Sequence, residues 1–416
     1  MMLARMVLVS GLCVLLAPLA VCWGLWAIFA VLALVPGGRR RAARGGGREA
    51  EGWRGMIDIL IPAHDEELLL PRLLESLAGQ TAAGARRRGR MLVVADHCSD
   101  QTAALARLGG AEVLERGSGP RGKPAALRDG LALLGARSAD RAVLILDADC
   151  TVSANLLEAL GDALDAGHTV AQAAYILDPG QERDAERLHT PAMIAFALKN
   201  MIRPKGMARL GVPTQLFGTG MCFRGDVLER ISFADHLTED LKISHDLLLA
   251  GINPVFVAEA IVRSPLPGDR GAMSTQKLRW ETGQVQTWGR LPGMLVRLLS
   301  RGRVRATLAL VDWSSPPVAM AVCGWLVLAV GAGVLTIAGL MPGWAFVPLL
   351  ATLGLFVTYV ILGASQIAGP FAAVTLVVGM PRFVLWKLAL YGRMLTGRGA
   401  KTWDRTPRSI ARQGEP

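Results

Sequence analysis

The chain has 416 residues, ample for a large core and for two or three folded units. Its net charge of +11 invites a nucleic-acid partner, but the arginines gather beside apolar segments, so an anionic lipid bilayer is the simpler partner and nucleic acid is set aside. The six cysteines form no C-x-x-C pair and three lie in apolar segments, which leaves neither a zinc nor a disulfide framework.

Residues 7–35 form a nearly uncharged run, long enough to cross a bilayer as a helix. A cleaved signal peptide competes with that reading, but the run is too long for one and no small-x-small site follows. Arg39, Arg40, Arg41, Arg44 and Arg48 follow instead, and they place the downstream side in the cytoplasm. Residues 1–36 thus read as an uncleaved transmembrane anchor with its N-terminus outside, and 37–55 as a basic linker.

A strand is expected at Met56–Ile61, a loop at Pro62–Glu67 and a helix from about Glu66 to Leu77. A second strand, Met91–Ala95, ends in Asp96-His97-Cys98-Ser99-Asp100 ahead of another helix. A third strand at Ala111–Glu115 precedes a helix at Pro124–Leu134. The fourth, Ala142–Leu146, runs into Asp147-Ala148-Asp149. This alternation argues for βαβ units and a largely parallel sheet. Ligands of such sheets bind beyond the carboxyl ends of the strands, and three of these four strands end in acidic loops. A D-x-D there offers oxygen ligands to a divalent cation, which in turn holds a diphosphate. The competing account is a strand end followed by a cap for a helix near Ser153. Between the third strand and its helix, residues 117–122 match G-x-G-x-x-G, and with Lys123 nearly a P-loop. Pro124 stands where that loop needs Ser or Thr, and the motif does not follow the first strand. What remains is a loop that presents Lys123 at a helix N-terminus, well placed to meet phosphate.

Beyond the D-x-D, Thr169–Tyr175 reads as a strand and Asp184–Ile202 as a helix. Gly218-Thr219-Gly220 would let a ligand approach the backbone. Thr238-Glu239-Asp240 opens a helix that runs to about Leu249, with Thr238 as its cap. Gln276, Arg279 and Trp280 lie within one helical turn, so one face carries an amide, a guanidinium and an indole suited to a diphosphate and a sugar ring. A core Trp beside a snorkelling Arg279 is the plainer account. From Trp288 to Leu310 apolar residues at helical spacing alternate with Arg290, Arg297, Arg301, Arg303 and Arg305, an amphipathic helix for a membrane interface. Residues 318–340 and 344–366 read as spans. Residues 371–395 read as an interfacial or re-entrant helix, because two C-terminal spans keep the basic tail (Lys401, Arg405, Arg408, Arg412) cytoplasmic.

In this order, Pro62–Glu67, Asp96, Asp147-Ala148-Asp149, Thr238-Glu239-Asp240 and Gln276-x-x-Arg279-Trp280 resemble the membrane-bound family 2 glycosyltransferases. That group includes cellulose, chitin and hyaluronan synthases and ceramide glucosyltransferase. The resemblance covers roughly residues 55–290. It implies an α/β GT-A catalytic domain at 56–284 on the cytosolic face, an amphipathic interface helix at 285–312, two transmembrane helices within 316–369, and an interfacial helix and tail at 370–416. It also implies a multi-pass inner-membrane enzyme. Such an enzyme uses Mg²⁺ or Mn²⁺ to move a sugar, with inversion, from a UDP-sugar to a polysaccharide or lipid acceptor.

Matched position by position, Pro62, His64, Glu66 and Asp96 contact the base or ribose. Lys123, Gln276 and Arg279 meet the diphosphate, Asp147 holds the nucleotide and Asp149 ligates the metal. Gly218, Thr219 and Gly220 floor the acceptor pocket, and Trp280 stacks on the acceptor sugar. Asp240, with Glu239 beside it, is the candidate general base, because neighbouring phosphates make a carboxylate a stronger proton acceptor.

There are departures. Asp65 stands where many relatives have Asn, and no F-x-V-T-x-K segment follows Trp280. Three spans are few for a polymer channel, so processive synthesis would need a homo-oligomer or an export partner. A catalytically silent receptor or scaffold on the same fold is the alternative, against which intact Asp149, Asp240 and Arg279 speak. A transporter is disfavoured by spans with almost no interior charge.

Overall fold

The computed structural model describes residues 2–36, 53–135, 137–178, 191–231, 233, 238–265, 270–369, 373, 374 and 388. Most of the basic linker expected at 37–55, and nearly all of the interfacial helix and tail expected at 370–416, lie outside these residues. The chain forms two compact units, one from residues 1–36, 186–210 and 310–399, the other from 37–185, 211–309 and 400–416.

The first unit is helical. Helix α1 (Met2–Leu34) contains Pro18 and is apolar on every side. Helices α14 (Val318–Ile337) and α15 (Phe346–Ala368), the latter preceded by a short turn from Gly343, are its counterparts near the C-terminus. These three helices are long and apolar enough to cross a membrane. Trp23, Trp26, Ala27 and Ala30 of α1 form a buried cluster with Phe356 and Tyr359 of α15. Its rings pack at 4.7 Å (Trp23–Phe356) and 5.3 Å (Trp26–Tyr359).

Ile194, Leu198 and Ile202 join the same cluster. They come from α7 (Pro191–Ala197) and the π-helical turn Leu198–Ile202 that runs into α8 (Arg203–Arg209). This corrects the expectation of one uninterrupted catalytic domain over 56–284: residues 186–210 leave it to join the helical core. Gly206 makes the junction close, since a Cβ there would lie 2.0 Å from the Phe29 carbonyl oxygen. Small residues allow such backbone contact between apolar helices.

The second unit is built on eight strands. They are β1 (Met56–Ala63), β2 (Arg88–Asp96), β3 (Glu112–Arg116), β4 (Arg141–Ile145), β5 (Thr151–Val152), β6 (Val170–Asp178), β7 (Met221–Arg224) and β8 (Val255–Pro265). Their spatial order is β3-β2-β1-β4-β7-β6-β8-β5. The first four are parallel, as expected. Beyond β4 the sheet is mixed: β7 runs antiparallel to both β4 and β6, β6 pairs parallel with β8, and β5 closes that edge antiparallel to β8. Strands β5, β7 and β8 and the short helix α3 (Ala82–Arg87) were not expected from the sequence.

Leu60, Leu92, Val94, Val143 and Ile145 of the sheet bury one face against α5 (Lys123–Leu134) and α10 (Glu239–Ala250). Gly130 lets α5 lie close, because a Cβ there would meet Leu60 at 2.5 Å and Val94 at 2.9 Å. The fully buried Asp58 of β1 is satisfied rather than stranded, accepting from the Arg90 amide at 2.7 Å and from Arg141 Nε at 3.1 Å.

The single amphipathic helix expected around 288–310 is instead broken. Helix α11 (Arg270–Thr287) leads through a 3-10 turn into α12 (Leu291–Ser300), and α13 (Val304–Trp313) starts afresh. Gly302, at φ +64°, supplies the left-handed residue that ends α12.

Candidate functional site

Because β2, β1 and β4 are parallel neighbours, their carboxyl ends share one edge of the sheet. The antiparallel β7 begins at that edge, so Gly218-Thr219-Gly220 lies beside the end of β4, with the Gly220 amide donating to the Ile145 carbonyl at 2.9 Å. The D-x-D occupies the turn between β4 and β5, closed by the Cys150 amide on the Asp147 carbonyl at 3.2 Å. Neither aspartate caps a helix: α6 (Leu156–Asp165) starts later, with Asn155 at its N-cap position. The capping account of the motif is thereby removed.

Lys123 organises the centre. The Gly122 backbone, at φ +110°, opens α5, and Lys123 leaves its first turn next to Pro124. Its ammonium donates to Asp147 Oδ1 at 2.6 Å and to the Gly218 carbonyl at 2.8 Å, and lies 3.7 Å from Glu239 Oε1. Burial lowers the pKa of this amine, but Asp147, Glu239 and Asp240 outweigh it and the net shift is upward. A Cβ placed on Gly218 would lie 3.6 Å from both Asp240 Oδ2 and Lys123 Nζ, so the base candidate faces the same glycine. Asp240 Oδ1 accepts from the Leu241 amide at 2.8 Å. The structure therefore brings together Lys123, Asp147, Gly218, Glu239 and Asp240.

Gln172 and Cys150, which support these expected residues, were missed in the sequence. Thr219 Oγ1 accepts from the Asp147 amide at 3.0 Å, joining the Gly218-Thr219-Gly220 loop to the D-x-D. Gln172, buried in β6, donates to the Thr219 carbonyl at 2.9 Å and accepts from the Phe217 amide at 3.0 Å. Asp149 is only 8% exposed, and Cys150 Sγ donates to its Oδ1 at 3.4 Å. Burial, then the charge of Asp147, pushes the Cys150 thiol far up, so it stays protonated as a donor. Gly220 combines φ +67° with Val262 and Ala173 at 2.9 and 3.0 Å from any Cβ, which reserves the position for glycine.

The residues expected at the nucleoside are tied into the fold. Asp96 is buried, accepts from the Gly122 amide at 2.8 Å and pairs with Arg116, whose Nε reaches Asp129 at 2.5 Å. Its carboxylate thus anchors the loop that delivers Lys123. Pro62 sits within β1 opposite Val94. His64 Nδ1 lies 2.6 Å from the Asp96 carbonyl oxygen. The Glu66 amide donates to Thr102 Oγ1 at 2.8 Å, and the Glu67 amide to Asp100 Oδ2 at 3.0 Å.

Thr238 occupies the N-cap position of α10, but its side chain makes no cap hydrogen bond there. It packs instead on α11, where a Cβ at Gly283 would meet Thr238 Cγ2 at 2.5 Å. Arg279 and Trp280 are half-buried on that helix; the side chain of Gln276 lies outside the described residues.

The model of the family described as "Glycosyl transferase family group 2" matches residues 142–381, more than half of the chain. Among solved structures, the mannosyltransferase PcManGT from Pyrobaculum calidifontis, in complex with GDP-Man and Mn²⁺, is similar over 89% of this chain and 98% of its own, at 16% identity and a TM-score of 0.52. Glucosyl-3-phosphoglycerate synthase from Mycobacterium tuberculosis, in complex with Mn²⁺, UDP and glucosyl-3-phosphoglycerate, aligns over 55% of this chain and 80% of its own at 16% identity and a TM-score of 0.37. The first likeness shows a GT-A fold. No curated protein sequence matches the chain.

Proposed function

This chain belongs to glycosyl transferase family group 2, and from that premise we propose that it transfers a sugar, with inversion, from a UDP-sugar to a polysaccharide or lipid acceptor. The observation that carries the reading is the ammonium of Lys123, shared by Asp147, Glu239 and the Gly218 carbonyl. One group thereby joins the donor motif, the T-E-D motif and the acceptor loop.

The carboxylates of Asp147, Glu239 and Asp240 around Lys123, with Asp149 two residues beyond Asp147, offer oxygen ligands of the kind that suit a hard cation such as Mg²⁺ or Mn²⁺. When bound, that cation would act as a Lewis acid on the departing diphosphate. The chain's own residues do the rest. Asp240 takes the proton of the acceptor hydroxyl as its oxygen bonds to the anomeric carbon and the bond to the diphosphate breaks. Lys123, Arg279 and Gln276 receive the negative charge of the leaving group. Glu239 holds Lys123 in place, Trp280 stacks on the acceptor sugar, and Gly218, Thr219 and Gly220 let that sugar approach the backbone. Pro62, His64, Glu66 and Asp96 shape the nucleoside side, with Asp96 acting through the loop it anchors.

Three apolar helices and the arginine cluster after the first support a multi-pass protein of the inner membrane with its catalytic unit in the cytosol. The test is nucleoside diphosphate release by the detergent-purified chain across UDP- and GDP-linked sugars with Mg²⁺ or Mn²⁺. Release from one donor, lost in Asp149→Ala, is expected; no binding of any nucleotide-sugar in a direct titration would overturn the reading.

A further inference from the structure

A second group of ligating side chains lies at the ends of β1 and β2. His64, Asp65 and Cys98 each offer one ligand atom, and these atoms lie within 4.8 Å of one another. We propose that this trio binds a borderline divalent cation of the Zn²⁺ or Co²⁺ class, at a site separate from the D-x-D carboxylates.

The histidine is set up as a ligand. Its Nδ1 lies 2.6 Å from the Asp96 carbonyl oxygen, which can only accept, so Nδ1 carries a proton and Nε2 is the nitrogen that can offer a lone pair to a metal. Metal-binding histidines are usually held in this way, through a hydrogen bond from the other ring nitrogen. Nε2 stands 3.8 Å from Asp65 Oδ2, too far for a hydrogen bond. Two donors that each sit about 2.0–2.1 Å from one tetrahedral ion lie roughly 3.4 Å apart, so the pair need close by only a few tenths of an ångström to share one. The carboxylate is oriented from its other side, since Asp65 Oδ1 accepts from the Ser99 amide at 2.7 Å.

Cys98 supplies the third donor. Its Sγ accepts from the Asp65 amide at 3.4 Å and directs its own proton at the Ala63 carbonyl at 3.6 Å. Binding a cation would release that proton to solvent and replace the weak S–H contact with a metal–sulfur bond. One imidazole nitrogen, one thiolate and one carboxylate, with a place left for water, is a zinc-type set, whereas Mg²⁺ and Mn²⁺ favour oxygen alone. All three residues are half-buried, so an ion reaches them from solvent. On the donor reading above, the trio borders the nucleoside loop, and cation and donor would compete; the site itself does not depend on that reading.

The test is a Co²⁺ titration of the full-length chain carrying Asp149→Ala, which removes the D-x-D ligand. One equivalent should produce a thiolate-to-cobalt charge-transfer band in the near ultraviolet. Cys98→Ser should abolish that band, and His64→Ala should weaken binding by about tenfold or more. No band, or a band that persists in Cys98→Ser, overturns the proposal. A second measurement needs no substitution. Zn²⁺ should slow alkylation of Cys98 by iodoacetamide, read by peptide mass spectrometry. Equal rates at Cys98 with and without Zn²⁺ would overturn it as well. Donor binding measured without zinc tests the glycosyltransferase reading on its own.

Discussion

Lys123 in the sheet unit and Arg203 in the helical unit are both nearly buried cations, with side chains 12% and 7% exposed, and their surroundings differ in kind. Arg203 faces Asp312, reaching its Oδ1 from Nη2 at 2.7 Å and from Nε at 3.0 Å, and stacks 4.5 Å from the Trp26 ring. Its second nitrogen also donates to the Asp312 carbonyl at 3.2 Å. Charge there is balanced one to one. Lys123 faces the carboxylates of Asp147, Glu239 and Asp240, so its surroundings carry more negative charge than one ammonium cancels. A closed pair braces a fold; an acidic excess at strand ends attracts further cations and the anions they carry.

The difference can be broken at either end, and the largest effect is expected in the sheet unit. Asp240→Asn should lower turnover by about 10²–10⁴-fold while donor affinity by titration stays nearly unchanged; comparable turnover would remove Asp240 as the base. In the helical unit, Arg203→Met should cost about 3–5 kcal/mol by stranding Asp312, with most of it recovered in the double variant Arg203→Met/Asp312→Leu. Thermal unfolding in detergent reads this, and a neutral single variant would show that the pair braces nothing. Lys123→Met should act in the opposite sense on ion binding. With the resident ammonium gone, Mn²⁺ affinity without nucleotide should rise by about tenfold, equivalent to roughly 1.4 kcal/mol. Electron paramagnetic resonance of free Mn²⁺ measures it, and weaker binding would contradict the acidic-excess account.

The smallest effect is on pH dependence. The folded pKa of Lys123 is raised above its ordinary 10.5, so the stability it contributes is complete below that value and fades as pH climbs through the folded pKa. The melting-temperature gap between wild type and Lys123→Met should hold steady from neutral pH to about 10 and narrow above it. A gap that widens there would reverse the sign of the argument.

Much of this was legible in the sequence where chemistry and pattern coincide. β1, β2 and β4 are apolar runs stopped by acidic residues, and their common edge follows from parallel pairing. The D-x-D and T-E-D stood out because carboxylates were grouped where strands or helices change. Strands β5 and β7, with two and four residues, are too short for a periodic signal, and each exists only through a distant partner. β8 carries a readable run of Val, Phe and Ile that went unassigned. An apolar helix reads the same whichever core it joins, so the departure of 186–210 was invisible. Equally hidden were Gln172, whose role depends on the fold rather than on a motif, and the direction in which Lys123 extends. The expected cap at Thr238 gave way because Gly283 lets a neighbouring helix pack on that side chain.

The excursion of residues 186–210 also imposes an order on biosynthesis. β4 is covered on one side by β1, already made, and on the other by β7, which is translated only after α7 and α8. A nascent chain therefore carries a bare strand edge while it is laying down helices for a different core. Bare edges recruit strands from neighbouring chains. Chains stopped before residue 221 should be sticky, and those that extend past 265 have every strand the sheet needs. A ribosome that paused between the end of β4 and residue 221 would hold the molecule at its most vulnerable.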